Sequence, residues 1–492
     1  MEFGSIIQLF ENKTILITGA TGYLAKIFVE KILRVQPNVK KFYLLVRASD
    51  AESAAERLQD EIIGKELFRV IKEKYAENIN SFVSEKMSPI PGDISYEHLG
   101  IEDSILREKL WEQVDFVLNF AATTNFDERY EIALGINTMG AVNVVNFAKR
   151  CQKIQMLVHV STAYVCGEDS GTILEKPFSM GKAKKGTEKI VIETETKLAQ
   201  EKLDQLHSED VSEKAISAAM KDFGLERART FGWPNTYVFT KAMGEMLLVH
   251  LKETLPVVII RPTMVSSTYK EPFPGWIEGI KTIDSVIAGY GKGKITCFLS
   301  SPQSTLDVIP SDMVINGIIL AMVARSKKCS EIIYQIGSSS RNPVRFSNFH
   351  DYAFRYFSAN PWINKDGSQV RIGKGILFNS LPSFHMYMTI RYLLPLKALQ
   401  VANTVVLKKY EEMYRNLDRK LKLVMRLIEL YTPYLLFEGI FDDTNSEKLR
   451  KLARETCPSD EIDMFKFDPT EINWEDYIMS AHIPGLVKYV MK

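Results

Sequence analysis

The chain has 492 residues, 46% hydrophobic and 25% charged, a composition that suits a folded globular protein and excludes a disordered, collagen-like or disulfide-stapled one. Sixty-two Lys and Arg against 61 Asp and Glu leave a net charge of +1, too little basic excess for an extended nucleic-acid interface, so no nucleic-acid partner is expected. Five cysteines (Cys151, Cys166, Cys297, Cys329, Cys457) are scattered without a CxxC pair, which argues for a reducing compartment and against a disulfide framework or a metal site.

The opening MEFGSIIQLFENK carries neither a basic segment before an apolar run nor an Arg/Ser-rich stretch, so no secretory signal or transit peptide is expected. Five short apolar runs follow, TILIT (14–18), FYLLV (42–46), SPIPG (88–92), FVLNFAA (116–122) and MLVHVS (156–161), separated by amphipathic stretches. This alternation predicts an α/β fold, a Rossmann-type doubly wound parallel sheet. A Lys/Glu-rich helical insertion is expected over about 168–229. The strand rhythm returns with VVIIRPT (257–263) and IIYQIGS (332–338), which places the sheet-bearing domain at 1–345. Residues 346–492 read as a smaller α-rich domain, with Pro361, Pro382, Pro395 and Pro433 as helix breaks. The longest uncharged run there, 16 residues between Lys374 and Arg391, is shorter than the roughly 20 that a spanning helix needs, so no transmembrane helix is expected.

TILIT runs into GATGYLAK (19–26). A dinucleotide needs such a turn: Gly19 permits the tight bend, Gly22 lets the backbone approach the pyrophosphate, and Ala25 allows close helix packing. Thr18, Thr21, Tyr23 and Leu24 complete the candidate cofactor turn. FYLLV is followed by Arg47, a cation where a 2′-phosphate would sit, so NADPH is expected rather than NADH. Asp93 and Ile94 follow the next strand, with Asp93 a candidate acceptor for the adenine amino group. Asn119, Ala121 and Ala122 close the next strand at the edge where ligands bind in such sheets. Ser161 and Thr162 follow another strand, and Tyr237 and Lys241 stand one turn apart at Y-x-x-x-K spacing, where the ammonium can lower the phenol's pKa and hold the nicotinamide ribose.

These motifs resemble the extended short-chain dehydrogenase/reductases. With NFAATTNFDERY, GWPNTYVFTKAMGEMLL, IIRPTMVSSTYKEPFPGW and FEGIFDDTN the chain looks like the alcohol-forming fatty acyl-CoA reductases, most closely those of plants. The resemblance spans Asn12 to the terminal HIPGLVKYVMK. It implies NADPH-dependent reduction of a long-chain fatty acyl-CoA to a primary alcohol through an aldehyde-level intermediate, with release of coenzyme A. It also implies a family-specific C-terminal domain and association with the endoplasmic reticulum membrane; because the longest uncharged run is too short to span, peripheral attachment at the cytosolic face is expected, with no obligate protein partner inferred. Matched by position, Tyr237 and Lys241 are the catalytic pair, Thr162 the catalytic hydroxyl with Ser161 beside it, and Asn137 the asparagine that organises a helix and a proton-relay water. Thr162 and Tyr237 lie 75 positions apart, far for the wider family but in keeping with the insertion of these reductases.

Plainer readings stand beside these. Cys166 is a small buried thiol rather than an acyl-accepting nucleophile, and His159 a core histidine rather than a base. Lys182, Lys184, Lys185 and Lys189 either meet coenzyme A phosphates or lie on a solvated loop. Segment 376–407, followed by Lys408 and Lys409, either packs as core or lies in a membrane interface, with Leu393 and Leu396 as candidate anchors. Other extended reductases, an acyl-CoA reductase that stops at the aldehyde, and a non-catalytic NADP-binding regulator remain alternatives.

Overall fold

The computed structural model describes residues 5–186, 188–280, 282–301, 304–326, 332–405 and 410–491. Cys329, Lys408 and Lys409 lie outside them. Seven strands form one sheet: β1 (Thr14–Thr18), β2 (Lys41–Val46), β3 (Met87–Pro91), β4 (Phe116–Asn119), β5 (Met156–Val160), β6 (Val257–Pro262) and β7 (Ile333–Ile336). All neighbours are parallel, in the order β7-β6-β5-β4-β1-β2-β3. The order reverses between β1 and β4, which opens a crevice at their carboxyl ends.

The two-residue period of each strand builds the layers. Ile15 and Ile17, Phe42 and Leu44, and Phe116 and Leu118 pack on one face with helices α1 (Tyr23–Val35) and α6 (Ser311–Ser326). Leu16, Tyr43, Leu45 and Val117 pack on the other with α2 (Gly140–Arg150). Between β5 and β6 come α3 (Ile192–Ser208), α4 (Glu213–Thr230) and α5 (Thr236–Leu251), so the helical insertion is present and α5 is the crossover that returns to the sheet.

Residues after 345 are mostly helical, and they are stitched to what precedes them. Ile376–Phe378 pairs in parallel with Cys297–Leu299, and Gly439–Phe441 with Gly171–Ile173. The Tyr477 hydroxyl donates to the Ser267 carbonyl at 2.8 Å and lies 2.8 Å from Ser266 Oγ. His482 approaches Ser267 Oγ through Nδ1 at 3.1 Å and the buried Asp284 carboxylate through Nε2 at 3.3 Å. The Glu461 carboxylate accepts from the Ser5 hydroxyl and the Ile6 N–H.

The prolines divide. The helix Phe346–Ala359 ends just before Pro361, and Pro382 opens a helix at Leu381. Pro395 does not break its helix, because the preceding turn, Thr389–Leu393, widens to π geometry. Pro433 does not break its helix either: α7 (Glu411–Leu435) runs through it, and in a last turn the missing N–H forfeits a single bond.

Candidate functional site

At the crevice, Gly19 has φ of +66°, and a Cβ there would meet the Ala121 backbone at 2.6 Å. Only glycine fits both constraints. Gly22 caps α1, whose N-terminal amides open onto the same crevice. The loop after β4 is held from below. Asn119 Oδ1 accepts from the Thr18 hydroxyl at 2.7 Å and the Ala121 N–H at 3.2 Å. Thr18 and Asn119 are thus buried supports rather than cavity walls.

Two adjoining cavities occupy the crevice. The first, about 460 Å³, is lined by Gly19, Thr21, Gly22, Arg47, Asp93, Ile94, Ala121 and Ala122 among others. Asp93 Oδ1 accepts from Ser95 N–H and Oγ at 2.9 and 2.7 Å. A second cation lines this cavity, Arg57, whose guanidinium donates to the Arg47 carbonyl and pairs with Glu61 at 2.6 Å. Arg57 escaped the sequence reading because it follows no strand; its only local sign is a place in the last turn of a helix capped by Asp50.

The second cavity, about 570 Å³, brings together Tyr23, Leu24, Ala25, Ser161, Thr162, Tyr237 and Lys241. Tyr237 sits in the first turn of α5, which Asn235 caps by accepting from the Val238 N–H at 3.1 Å. Burial pushes the Tyr237 phenol up to about 12, while a hydrogen bond with Thr162 draws it down. Lys241 is lowered to about 8 by burial, against the pull of Glu245. Its ammonium donates to the Val160 carbonyl at 2.8 Å. Lys241 is thus turned to the end of β5, and Thr162 is the neighbour that works against the rise of the Tyr237 phenol.

Asn137 lies on a π turn, Leu134–Met139, and lines neither cavity. Its side chain accepts from the Thr123 N–H and donates to the Thr123 carbonyl and to Thr240 Oγ1, each at 3.1 Å. It thereby ties the loop after β4 to α5. The approach is so close that a Cβ on Gly244 would stand 2.3 Å from the Asn137 carbonyl oxygen.

Ser161 Oγ and Thr263 Oγ1 are buried and have no hydrogen-bond partner among the described residues, and both residues line the second cavity. Thr263 and the aromatic wall of Phe126, Tyr164, Tyr431 and Tyr434 were absent from the sequence reading. Two of these aromatics come from α7, far away in the chain. His159 is fully buried, takes the Asn119 amide on Nδ1 at 3.1 Å and is held well below its usual pKa by burial and Lys241. Cys166 is buried, with its thiol pushed up to about 12, chiefly by burial; it is no ready nucleophile. Lys184 pairs with Asp169, and none of Lys182, Lys184, Lys185 and Lys189 lines either cavity.

The fold and the family agree with this geometry. Residues 17–318 match the NAD-binding model of the male sterility proteins, and residues 391–492 match the Sterile model of the same proteins. The chain is 52% identical over 492 residues to an alcohol-forming fatty acyl-CoA reductase of Simmondsia chinensis, covering 100% of this chain and 99% of the relative. It is 53% identical over 489 residues to fatty acyl-CoA reductase 1 of Arabidopsis thaliana, covering 99% of each. Among solved structures, the terminal reductase domain of the myxalamid pathway superposes with a TM-score of 0.57 at 18% identity, covering 97% of this chain and 91% of that one, a likeness of fold alone. A nicotinamide-binding crevice that carries hydroxyl, phenol and ammonium groups, on a chain matched end to end by these plant enzymes, places the protein in the male sterility family, among the alcohol-forming fatty acyl-CoA reductases.

Proposed function

We infer that the protein reduces a long-chain fatty acyl-CoA to the primary alcohol with NADPH and releases coenzyme A. The observation that carries this is the continuity of the two cavities through Gly22, Phe120, Ala122, Thr124 and Asn125, which sets a dinucleotide crevice beside Thr162 and Tyr237. The crevice fits the cofactor on its own residues: Gly19 and Gly22 keep the floor free of Cβ atoms, and Arg47 and Arg57 supply charge at the end of β2. When bound, NADPH supplies the hydride for both reductions.

The chain's residues do the rest. Thr162 and Tyr237 donate to the substrate oxygen as negative charge develops on it. Tyr237 gives its proton to that oxygen at the aldehyde step, and a phenol with a raised pKa is a stable donor at neutral pH. Lys241 holds the ribose. Phe126, Tyr164, Tyr431 and Tyr434 exclude water and present an apolar wall to the acyl chain. Residues 1–345 thus carry the cofactor chemistry, and 346–492 close the acyl side. Purified protein, NADPH and a panel of acyl-CoAs, with aldehyde and alcohol separated by chromatography, test the function. Aldehyde without alcohol would leave only the first reduction, and no product from any acyl-CoA would overturn the reading.

The Lys241 ammonium sets a pH limit. Burial lowers its pKa, so the charge is present below about 8 and lost above it. The kcat/KM for the acyl-CoA is expected to decline as pH rises through that value. In Lys241→Arg the side chain stays charged, so whatever activity survives should lose this alkaline limb. A limb unchanged in that variant would assign it to another group.

Peripheral attachment to the cytosolic face of the endoplasmic reticulum is proposed on the same footing. Among the described residues no helix is long and apolar enough to cross a membrane. The helical stretch 381–405 packs Phe384, Met388 and Leu396 inward and leaves Met386, Ile390, Leu394 and Val401 exposed, with Ile390 61% and Leu394 53% accessible. Arg391 and Lys397 stand exposed among them. Of the two leucines expected to anchor, Leu396 is buried and Leu393 half-buried, so the test shifts to their neighbours. Ile390→Glu with Leu394→Glu should move the protein from the membrane pellet toward the supernatant, each change removing apolar burial of about 1.5–3 kcal/mol from the bound state. Equal sedimentation of the folded double variant and the parent would remove this face as the anchor.

A further inference from the structure

We propose that Tyr434, carried into the site by α7, is a positioning residue for Tyr237, fixing it through a ring stack on Phe126 and a hydrogen bond to the cap of α5. This rests on the acyl-CoA reductase reading above and adds to it a residue from outside the sheet-bearing half.

Three contacts converge on that role. Phe126 lies between two phenols: its ring stacks on Tyr237 at 5.5 Å with planes 17° apart, and on Tyr434 at 4.9 Å with planes 25° apart. Stacked aromatic neighbours restrict each other's tilt and slide, and each such pair adds specific orientation beyond the area it buries. The second contact is Asn235, which is fully buried. Its Oδ1 caps α5, and its Nδ2 donates to the Tyr434 hydroxyl at 2.8 Å. Asn235 stands two residues before Tyr237, so the geometry of this cap is the geometry of the turn that aims the phenol. Removing the Tyr434 hydroxyl would leave a buried amide donor without that acceptor. The third contact reaches the other hydroxyl donor. Tyr434 meets Tyr164 edge-on at 5.1 Å, and Tyr164 donates its backbone N–H to Thr162 Oγ1 at 3.3 Å. One side chain thus touches the supports of both hydroxyl donors.

α7 is held for this purpose two turns earlier. Arg426 donates to Asp127 Oδ1 at 2.8 Å from Nη2 and 3.0 Å from Nε, and Asp127 is the residue after Phe126. Arg426 also pairs with Asp222 at 3.1 Å, and Arg229 of α4 pairs with Glu429 at 2.9 Å. The helix therefore grips the Phe126 loop with a charge and presses on its ring with Tyr434.

The test uses the full chain with Tyr434→Phe, which keeps the ring and removes the hydroxyl, and Tyr434→Leu, which removes both. Small misplacement of a reacting group lowers turnover by up to about 100-fold. On this scale kcat with acyl-CoA and with a fatty aldehyde should fall about 3–10-fold in Tyr434→Phe and about 30–100-fold in Tyr434→Leu, with KM for NADPH within about twofold of the parent, since the cofactor turn is untouched. The pH–kcat profile should shift as well, because the phenol's partner Thr162 loses its alignment. A purely structural role would lower thermal stability and leave the kcat and pH profile of the folded protein unchanged. Equal kcat and superimposable pH profiles in the parent and folded Tyr434→Leu overturn the assignment; if that variant does not fold, the same equality in Tyr434→Phe overturns it. A parent inactive on every acyl-CoA and aldehyde overturns the functional reading and this assignment with it.

Discussion

Tyr237→Phe is expected to lower alcohol formation by about 10²–10⁴-fold, the range that a positioned general acid contributes. The ring remains, so its stack on Phe126 and the packing of the first turn of α5 should persist. KM for NADPH should stay within about twofold, because the phenol acts on the substrate oxygen and the Gly19–Gly22 turn is unchanged. Lys241→Ala should differ in kind, damaging both turnover and cofactor affinity. Thr162 cannot replace the lost proton, since an aliphatic hydroxyl is far less acidic than a phenol; it can still donate a hydrogen bond, and a small residual rate should reflect that. Product analysis with acyl-CoA and aldehyde as separate substrates checks both halves. Near-normal turnover of both would remove Tyr237 as the acid.

The second large effect concerns the cofactor. With Arg47 exposed at the end of β2 and Arg57 lining the same cavity, the parent is expected to use NADPH far better than NADH. Arg47→Glu replaces a phosphate-binding cation with a carboxylate that suits a free ribose 2′-hydroxyl. A charged hydrogen bond contributes about 1.5–3 kcal/mol, so the NADPH:NADH ratio of kcat/KM should fall about 10–150-fold. Arg57→Gln should give a smaller loss, and the double variant should prefer NADH. Steady-state kinetics with both cofactors decide it. Equal use of the two by the parent would sink the assignment.

What was legible in the chain and what was not divides along sequence distance. β1, β2, β4, β5 and β6 could be read because a strand covered on both faces is a short continuous apolar run, and the Gly19 turn because its backbone tolerates one residue type. Tyr237 and Lys241 share a single helical turn, so local spacing carried them. Tyr434 touches Asn235 across 199 positions, and no local pattern announces such a contact. Arg57 was missed for a different reason: a cation in the last turn of an ordinary surface helix looks like favourable interaction with the helix dipole. Pro395 and Pro433 misled because a proline penalty is a local tendency that a π turn or a helix end can absorb. Leu396 was misjudged as an anchor because a half-covered helix shows its two faces only when its neighbours are placed.

The way residues 474–491 brace the segment beside the second cavity bears on how the protein matures. Tyr477 and His482 secure Ser266 and Ser267, next to the cavity residues Met264 and Val265, across 211 and 215 positions. During synthesis the strands of the sheet are made before that support, and contacts so distant in the chain are among the last to form. A nascent chain at that stage would expose the core face that Tyr477, Ile478, Ile483 and Leu486 cover, a ready target for chaperones, and reductase activity is expected only when this helical segment has docked.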